Sequence, residues 1–134
     1  MEFDIQAGMR MSLQKTVEIK DTAKAVASGL AEVFATPAMI ALMENAAYMA
    51  VQAALPQGYS TVGAQIDAKH IAATPVGFNV TVNAVLTAVE GKKLTFFIEA
   101  FDEAEKIGEA LHIRFIIDEQ RFQQKADAKK AAKA

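Results

Sequence analysis

The stretch TPAMIALMENAAYMAVQAALPQG, residues 36–58, decides the fold. Thr36-Pro37 offers a capping hydroxyl followed by proline at the first helical position, where a missing N–H costs nothing. From there to Leu55 the chain is mostly alanine, methionine and leucine, all strong helix formers. Ile40, Met43, Ala47, Ala50, Val51 and Ala54 recur at the spacing of one helical face. Pro56-Gln57-Gly58 stops the helix. About 19 residues at 1.5 Å rise give a rod of about 28 Å.

Outward from this helix the period changes from 3.6 to 2. Upstream, Leu13, Lys15, Val17 and Ile19 alternate with Gln14, Thr16, Glu18 and Lys20, a strand over Leu13–Lys20. Between them, Asp21–Ala35 is alanine-rich with Gly29 and has no clean period. It reads as a loop with one or two helical turns, either an ordinary connection or a cover over something. Downstream come four strand-like runs: Ser60–Ala72, Phe78–Val89, Lys93–Phe101 and Ile107–Ile117. Their breaks, Thr74–Gly77, Glu90–Lys92 and Asp102–Glu105, are short and polar, which predicts antiparallel hairpins. One strand, one helix and four strands predict an α+β chain: a five-stranded antiparallel sheet curled around the helix, the hotdog fold. Such a sheet has open edges, and pairing into a homodimer would cover them. A monomer fits the same pattern.

At 134 residues the chain predicts one domain, over 1–125, followed by a basic Lys/Ala-rich tail over 126–134. From Glu119 onward, Arg121, Lys125, Lys129, Lys130 and Lys133 outnumber Glu119 and Asp127. The tail reads as a solvated helix, or as an arm for a phosphate or a partner. Apolar residues make up 52 % of the chain, enough for a core and too many for a disordered segment. There is no cysteine, so thiol nucleophiles, thiolate metal sites and disulfides are excluded. A net charge of −2 disfavours nucleic acid as a partner. No apolar run is long enough for a membrane span, and Met1–Arg10 lacks a signal pattern. A cytoplasmic protein that binds neither nucleic acid nor membrane is the expectation.

Three polar residues stand where apolar ones are expected. Glu44 sits on or beside the apolar helix face. There it either snorkels to solvent or is desolvated into a general base. His70 shares an alternating strand face with Ile66 and Ala68, as a packed core histidine or a proton-transfer group. Thr36 reads first as the helix cap, with a hydroxyl proton still free to orient a substrate. His112 lacks such company and reads as structural. Thr36 and Glu44 are eight residues apart, about 12 Å along a regular helix. A shared site therefore needs a substrate between them, a distorted first turn or a second subunit.

The segment Glu32-Val33-Phe34-Ala35-Thr36-Pro37-Ala38-Met39, continued by Leu42-Met43-Glu44, resembles the helix signature of the fluoroacetyl-CoA thioesterase-like hotdog proteins. So do Lys69-His70-Ile71-Ala72-Ala73-Thr74-Pro75 with Gly77 and Val80-Thr81-Val82, Val89-Glu90-Gly91-Lys92-Lys93-Leu94, and Ile107-Gly108 with Arg114 and Phe122. The resemblance covers about Met9–Lys125. It implies a homodimer, leaving higher oligomers open, that hydrolyses acyl-CoA thioesters with no metal or other cofactor. It puts the family's catalytic threonine, glutamate and histidine on Thr36, Glu44 and His70. Its glycine and arginine near the acyl group fall on Gly63 and Arg114. Residue by residue, Arg114 reads otherwise as an outward strand residue in an ion pair. Asp21–Ala31 lacks the aromatic lid residue of the fluoroacetyl-specific enzyme, which points to a different small acyl group. An acyl-CoA-binding module without turnover and a hotdog hydratase or dehydratase are the rival readings.

Overall fold

A computed structural model describes residues 3–133. The elements are β1 (Arg10–Thr16), a 3-10 turn (Ile19–Asp21), α1 (Thr36–Gln52), β2 (Tyr59–His70), β3 (Asn79–Glu90), β4 (Lys93–Phe101), β5 (Lys106–Asp118), α2 (Glu119–Asp127) and α3 (Lys129–Ala132). Strict alternation makes β3 and β4. Val80, Val82, Ala84 and Leu86 on β3, with Leu94, Phe96, Ile98 and Ala100 on β4, are fully buried. They form the concave floor on which α1 lies. Full burial of each large apolar side chain contributes about 1.5–3 kcal/mol relative to leaving it exposed. The five strands form one antiparallel sheet in the order β1-β3-β4-β5-β2, so β1 and β2 are its edges. This is the α+β hotdog arrangement expected from the sequence.

Several boundaries and faces differ from the sequence reading. The first strand is Arg10–Thr16, and Ile19 is 76 % exposed in the 3-10 turn that follows it. The buried face of α1 is Met39, Leu42, Met43, Ala46, Ala47 and Val51, with Ile40 rotated to the rim. In a helix this rich in apolar residues, periodicity marks a broad stripe rather than its centre. The helix cap is Ala35 rather than Thr36, and it makes no side-chain cap hydrogen bond. Two breaks form hairpins, β3–β4 and β4–β5. The first of these turns on Gly91 (φ 64°), a left-handed conformation suited to glycine in a two-residue loop. Thr74–Gly77, by contrast, crosses to the far side of the sheet, because β2 pairs with β5 and not with β3.

β2 carries the departure that matters most. Its register against β5 shifts between Gly63 and Gln65, a bulge at Ala64. A bulge inserts one residue and reverses which side chains face inward. Below it Ile66, Ala68 and His70 are half-buried; above it Thr61 is buried and Val62 is not. Uninterrupted alternation would have kept Val62 and Ala64 on the face of Ile66. The C-terminal segment is helical and exposed, with no buried residue in α2 or α3. No helix among the described residues is long and apolar enough to cross a membrane.

Candidate active site

The first turn of α1 meets the end of β2. Thr36 Oγ1, free of capping duty, lies 2.7 Å from His70 Nδ1. The other ring nitrogen, His70 Nε2, is buried without a hydrogen-bond partner. Buried polar atoms are seldom left so. Burial pulls the His70 pKa below its ordinary value, against the opposing effect of the Ala72 carbonyl. Burial thus favours the neutral ring. Thr36 and His70 border an open hollow of about 300 Å³, which the Asp21–Ala35 segment walls with Ala23, Ser28, Val33 and Phe34. Short bridges from Thr22 to Phe34 and from Val33 to Pro75 hold that wall in place. With Ala35 as cap, the first-turn N–H groups of α1 have no side-chain acceptor. They leave a positive helix end beside the hollow.

Glu44 lies two turns further along α1, and its company is different. Its Oε2 is 3.8 Å from Arg114 Nη1, and its side chain is 42 % exposed in a single chain. The desolvated setting expected for this carboxylate is not met within this chain. Arg114 is 7 % exposed and points inward, so it is not the outward ion-pair residue that the strand pattern allowed. Its Nε donates to Thr61 Oγ1 at 2.8 Å and its Nη2 to the Thr61 carbonyl at 2.9 Å. Gly63 opposes Arg114 in the β2–β5 ladder. A Cβ on Gly63 would stand 2.9 Å from Glu44 Oε2 and 3.2 Å from His112 Cε1. A side chain here would push the Glu44 carboxylate aside and press on the buried His112 ring.

One chain thus holds two clusters, Thr36 with His70 and Glu44 with Gly63 and Arg114. The helix connecting them is regular from Thr36 onward, which removes a distorted first turn as the means of joining them. Two further residues belong to the second cluster and were not singled out as site residues in the sequence. Thr61 carries Arg114, and His112 is buried against it with Nη1 to Nε2 at 3.2 Å. The signal available was a histidine and an arginine two apart on one strand face, His112 and Arg114, in an otherwise apolar run.

The family model for fluoroacetyl-CoA-specific thioesterases matches residues 17–120. The chain belongs to that family. A curated fluoroacetyl-CoA thioesterase from Streptantibioticus cattleyicolor is 41 % identical over 101 residues, covering 75 % of this chain and 73 % of that protein. A solved structure of a fluoroacetyl-CoA thioesterase superposes with a TM-score of 0.88 at 34 % identity, over 93 % of this chain and 97 % of that one. A thioesterase superfamily member from Thermus thermophilus, 24 % identical, has the same fold at a TM-score of 0.88, over 96 % of this chain and 95 % of that one. Membership of the fluoroacetyl-CoA-specific thioesterase family makes the chain a thioester hydrolase.

Proposed function

We propose that this enzyme hydrolyses a small acyl-CoA to the free acid and CoA, in a site that Thr36 and His70 of one protomer share with Glu44 of its partner. The observation that carries the reading is the buried, unpartnered His70 Nε2 beside Thr36 at the mouth of a hollow. The uncapped helix start offers N–H groups to the oxyanion that forms when the thioester carbonyl is attacked. Glu44 takes the proton of the attacking water, or attacks directly to give an anhydride that water opens. Thr36 orients the acyl group and the imidazole. His70 positions the water or passes a proton to the departing CoA thiolate. Gly63 leaves room for the acyl group, and Arg114 faces its polar end.

A homodimer supplies the partner. β2 is a twelve-residue open edge, Tyr59–His70, with its midpoint between Ala64 and Gln65. Antiparallel pairing with its own two-fold copy about an axis between Ile66 and Asp67 would bring Gly63 of one protomer opposite His70 of the other. Glu44, beside Gly63, then approaches the partner's His70 and loses its solvent. Asp21–Ala31 contains no aromatic residue, which favours a small acyl group other than fluoroacetyl. The reading carries a cytoplasmic setting with it, where a CoA ester is at hand.

Release of free thiol, followed across short, branched and aromatic acyl-CoAs, tests the proposal. Glu44→Gln should lower kcat by about 10²–10⁴, the usual cost of losing a positioned acid–base group. Unchanged turnover on every active ester would remove Glu44 from the mechanism. Oxygen-18 water in a single turnover tests for direct attack, since an anhydride opened by water at the Glu44 carbonyl leaves the label on Glu44 and out of the first acid released. A hydratase or a binding module would release no thiol.

A further inference from the structure

We propose that His112 is a positioning residue: a neutral imidazole that accepts a hydrogen bond from Arg114 and fixes the guanidinium against Glu44. The inference rests on the thioesterase reading for its kinetic consequence and on geometry alone for its structural one. His112 Nδ1 is 2.8 Å from the Gln65 carbonyl, which can only accept. Its Nε2 is 3.2 Å from Arg114 Nη1, which can only donate. These two partners require Nδ1–H and a bare Nε2, so the tautomer is set and the ring must be uncharged.

The groups facing His112 pull in both directions. Its own strand presents Arg114, whose charge opposes protonation. α1 presents Glu44, whose charge favours it, and β2 presents only the Gln65 carbonyl. β4 presents the Phe96 ring, with centroids 6.3 Å apart. Burial, helped by Arg114, outweighs the Gln65 carbonyl and Glu44, and the His112 pKa falls below its ordinary value. His112 is 1 % exposed, so no water can replace its acceptor without repacking.

The consequence for Arg114 follows by counting donors. Of its five N–H groups, Nε–H and one on Nη2 go to Thr61, and one on Nη1 goes to His112. Three anchors fix the plane of the guanidinium. The second Nη1–H remains on the side of Glu44, at 3.8 Å, too far for a hydrogen bond and close enough to steer a carboxylate or an acyl oxygen. Without His112, Thr61 alone would hold the group along one edge, and Nη1 could swing.

Two substitutions test this. Glutamine can accept from Arg114 and donate to the Gln65 carbonyl, whereas phenylalanine fills the volume and can do neither. His112→Phe should lower kcat for thiol release by about 10-fold or more, with a smaller change in KM, as expected for a buried charge losing its acceptor. His112→Gln should recover most of that loss. A second readout needs no turnover. In nitrogen-15 spectra an Arg114 Nη1–H signal should be resolved and slow to exchange in the wild type and in His112→Gln, and averaged away by rotation in His112→Phe. In the wild type it should persist while the His112 ring shows one protonated nitrogen, and broaden as acid protonates the second. That titration stands even if His112→Phe does not fold. Equal losses in the two variants, full activity in His112→Phe, or an Arg114 signal indifferent to the state of His112 would each overturn the proposal. If the wild type releases no thiol from any ester while the Arg114 signal behaves as described, the thioesterase reading fails and the anchoring role survives.

Discussion

His70 has two nitrogens with different tasks. Thr36 occupies Nδ1, and Nε2 is buried with nothing to bond. Burial lowers the pKa of this ring from its ordinary 6.5. A lowered value means that the ring keeps its neutral form to a more acid pH than a free histidine. If neutral His70 is the working form, its contribution to kcat/KM holds through pH 6.5 and declines only below it. The same shift affects stability in the same direction. Between the two pKa values the unfolded chain binds more protons than the folded one, so stability falls as pH drops from 6.5. Following the His70 ring by proton NMR during an acid titration checks both statements; a midpoint at or above 6.5 would contradict them. The candidate residues were legible in the sequence because polar groups in apolar stripes are conspicuous. The separation of Thr36 from Glu44 was legible from helix geometry, but the grouping of Glu44 with Thr61, Gly63 and Arg114 was not, since it depends on which side of β2 each residue faces. Thr61 was missed because the Ala64 bulge brings it inward, and no local pattern announces a bulge; His112 was read as structural although it stands two residues from Arg114 on one strand face.

Elements were legible in proportion to how strictly they alternate. β4 coincides with its expected range Lys93–Phe101, and β3 and β5 are displaced or extended by a residue or so. β1 was misplaced because Val17 and Ile19 prolong the alternation past the point where pairing with β3 ends at Thr16. The cap at Thr36 was misassigned because threonine before proline fits the cap and the first helical residue alike. Which strands pair was the least legible feature, since a four-residue polar break can turn a hairpin or begin a crossover. The crossover matters, because it makes β2 an edge and sets Gly108 of β5 opposite His70. Gly108 is where α1 presses onto the sheet. A Cβ there would stand 2.7 Å from Met39 Sδ and 2.8 Å from the Lys69 carbonyl oxygen. The thioether can move; the β2 backbone beside His70 cannot do so freely. Gly108→Ala should therefore destabilise the fold by about 1–3 kcal/mol, read as a lower urea midpoint. It should also disturb the Thr36–His70 pair that this contact seats. An unchanged midpoint would mean that α1 is less firmly docked than the close approach of Met39 implies.

Across the whole molecule the question is how two clusters in one chain serve one reaction. Within a protomer a regular helix keeps Thr36 and Glu44 about 12 Å apart. A substrate lying between them within one chain and a site shared across a two-fold axis predict different behaviour in mixtures. Take Glu44→Gln and His70→Ala, each inactive alone, and let their subunits exchange. In a shared site, one of the two sites in each heterodimer receives an intact Glu44 from one chain and an intact His70 from the other. Its second site receives both lesions. With random pairing, half of the dimers are mixed and half of their sites are whole, so about a quarter of wild-type activity should return. In a site confined to one protomer every site carries a lesion, and mixing restores nothing. Thiol release measured before and after exchange distinguishes the two arrangements. Recovery that is abolished by substitutions breaking the β2 edge would further locate the shared site where Gly63 and the partner's His70 meet.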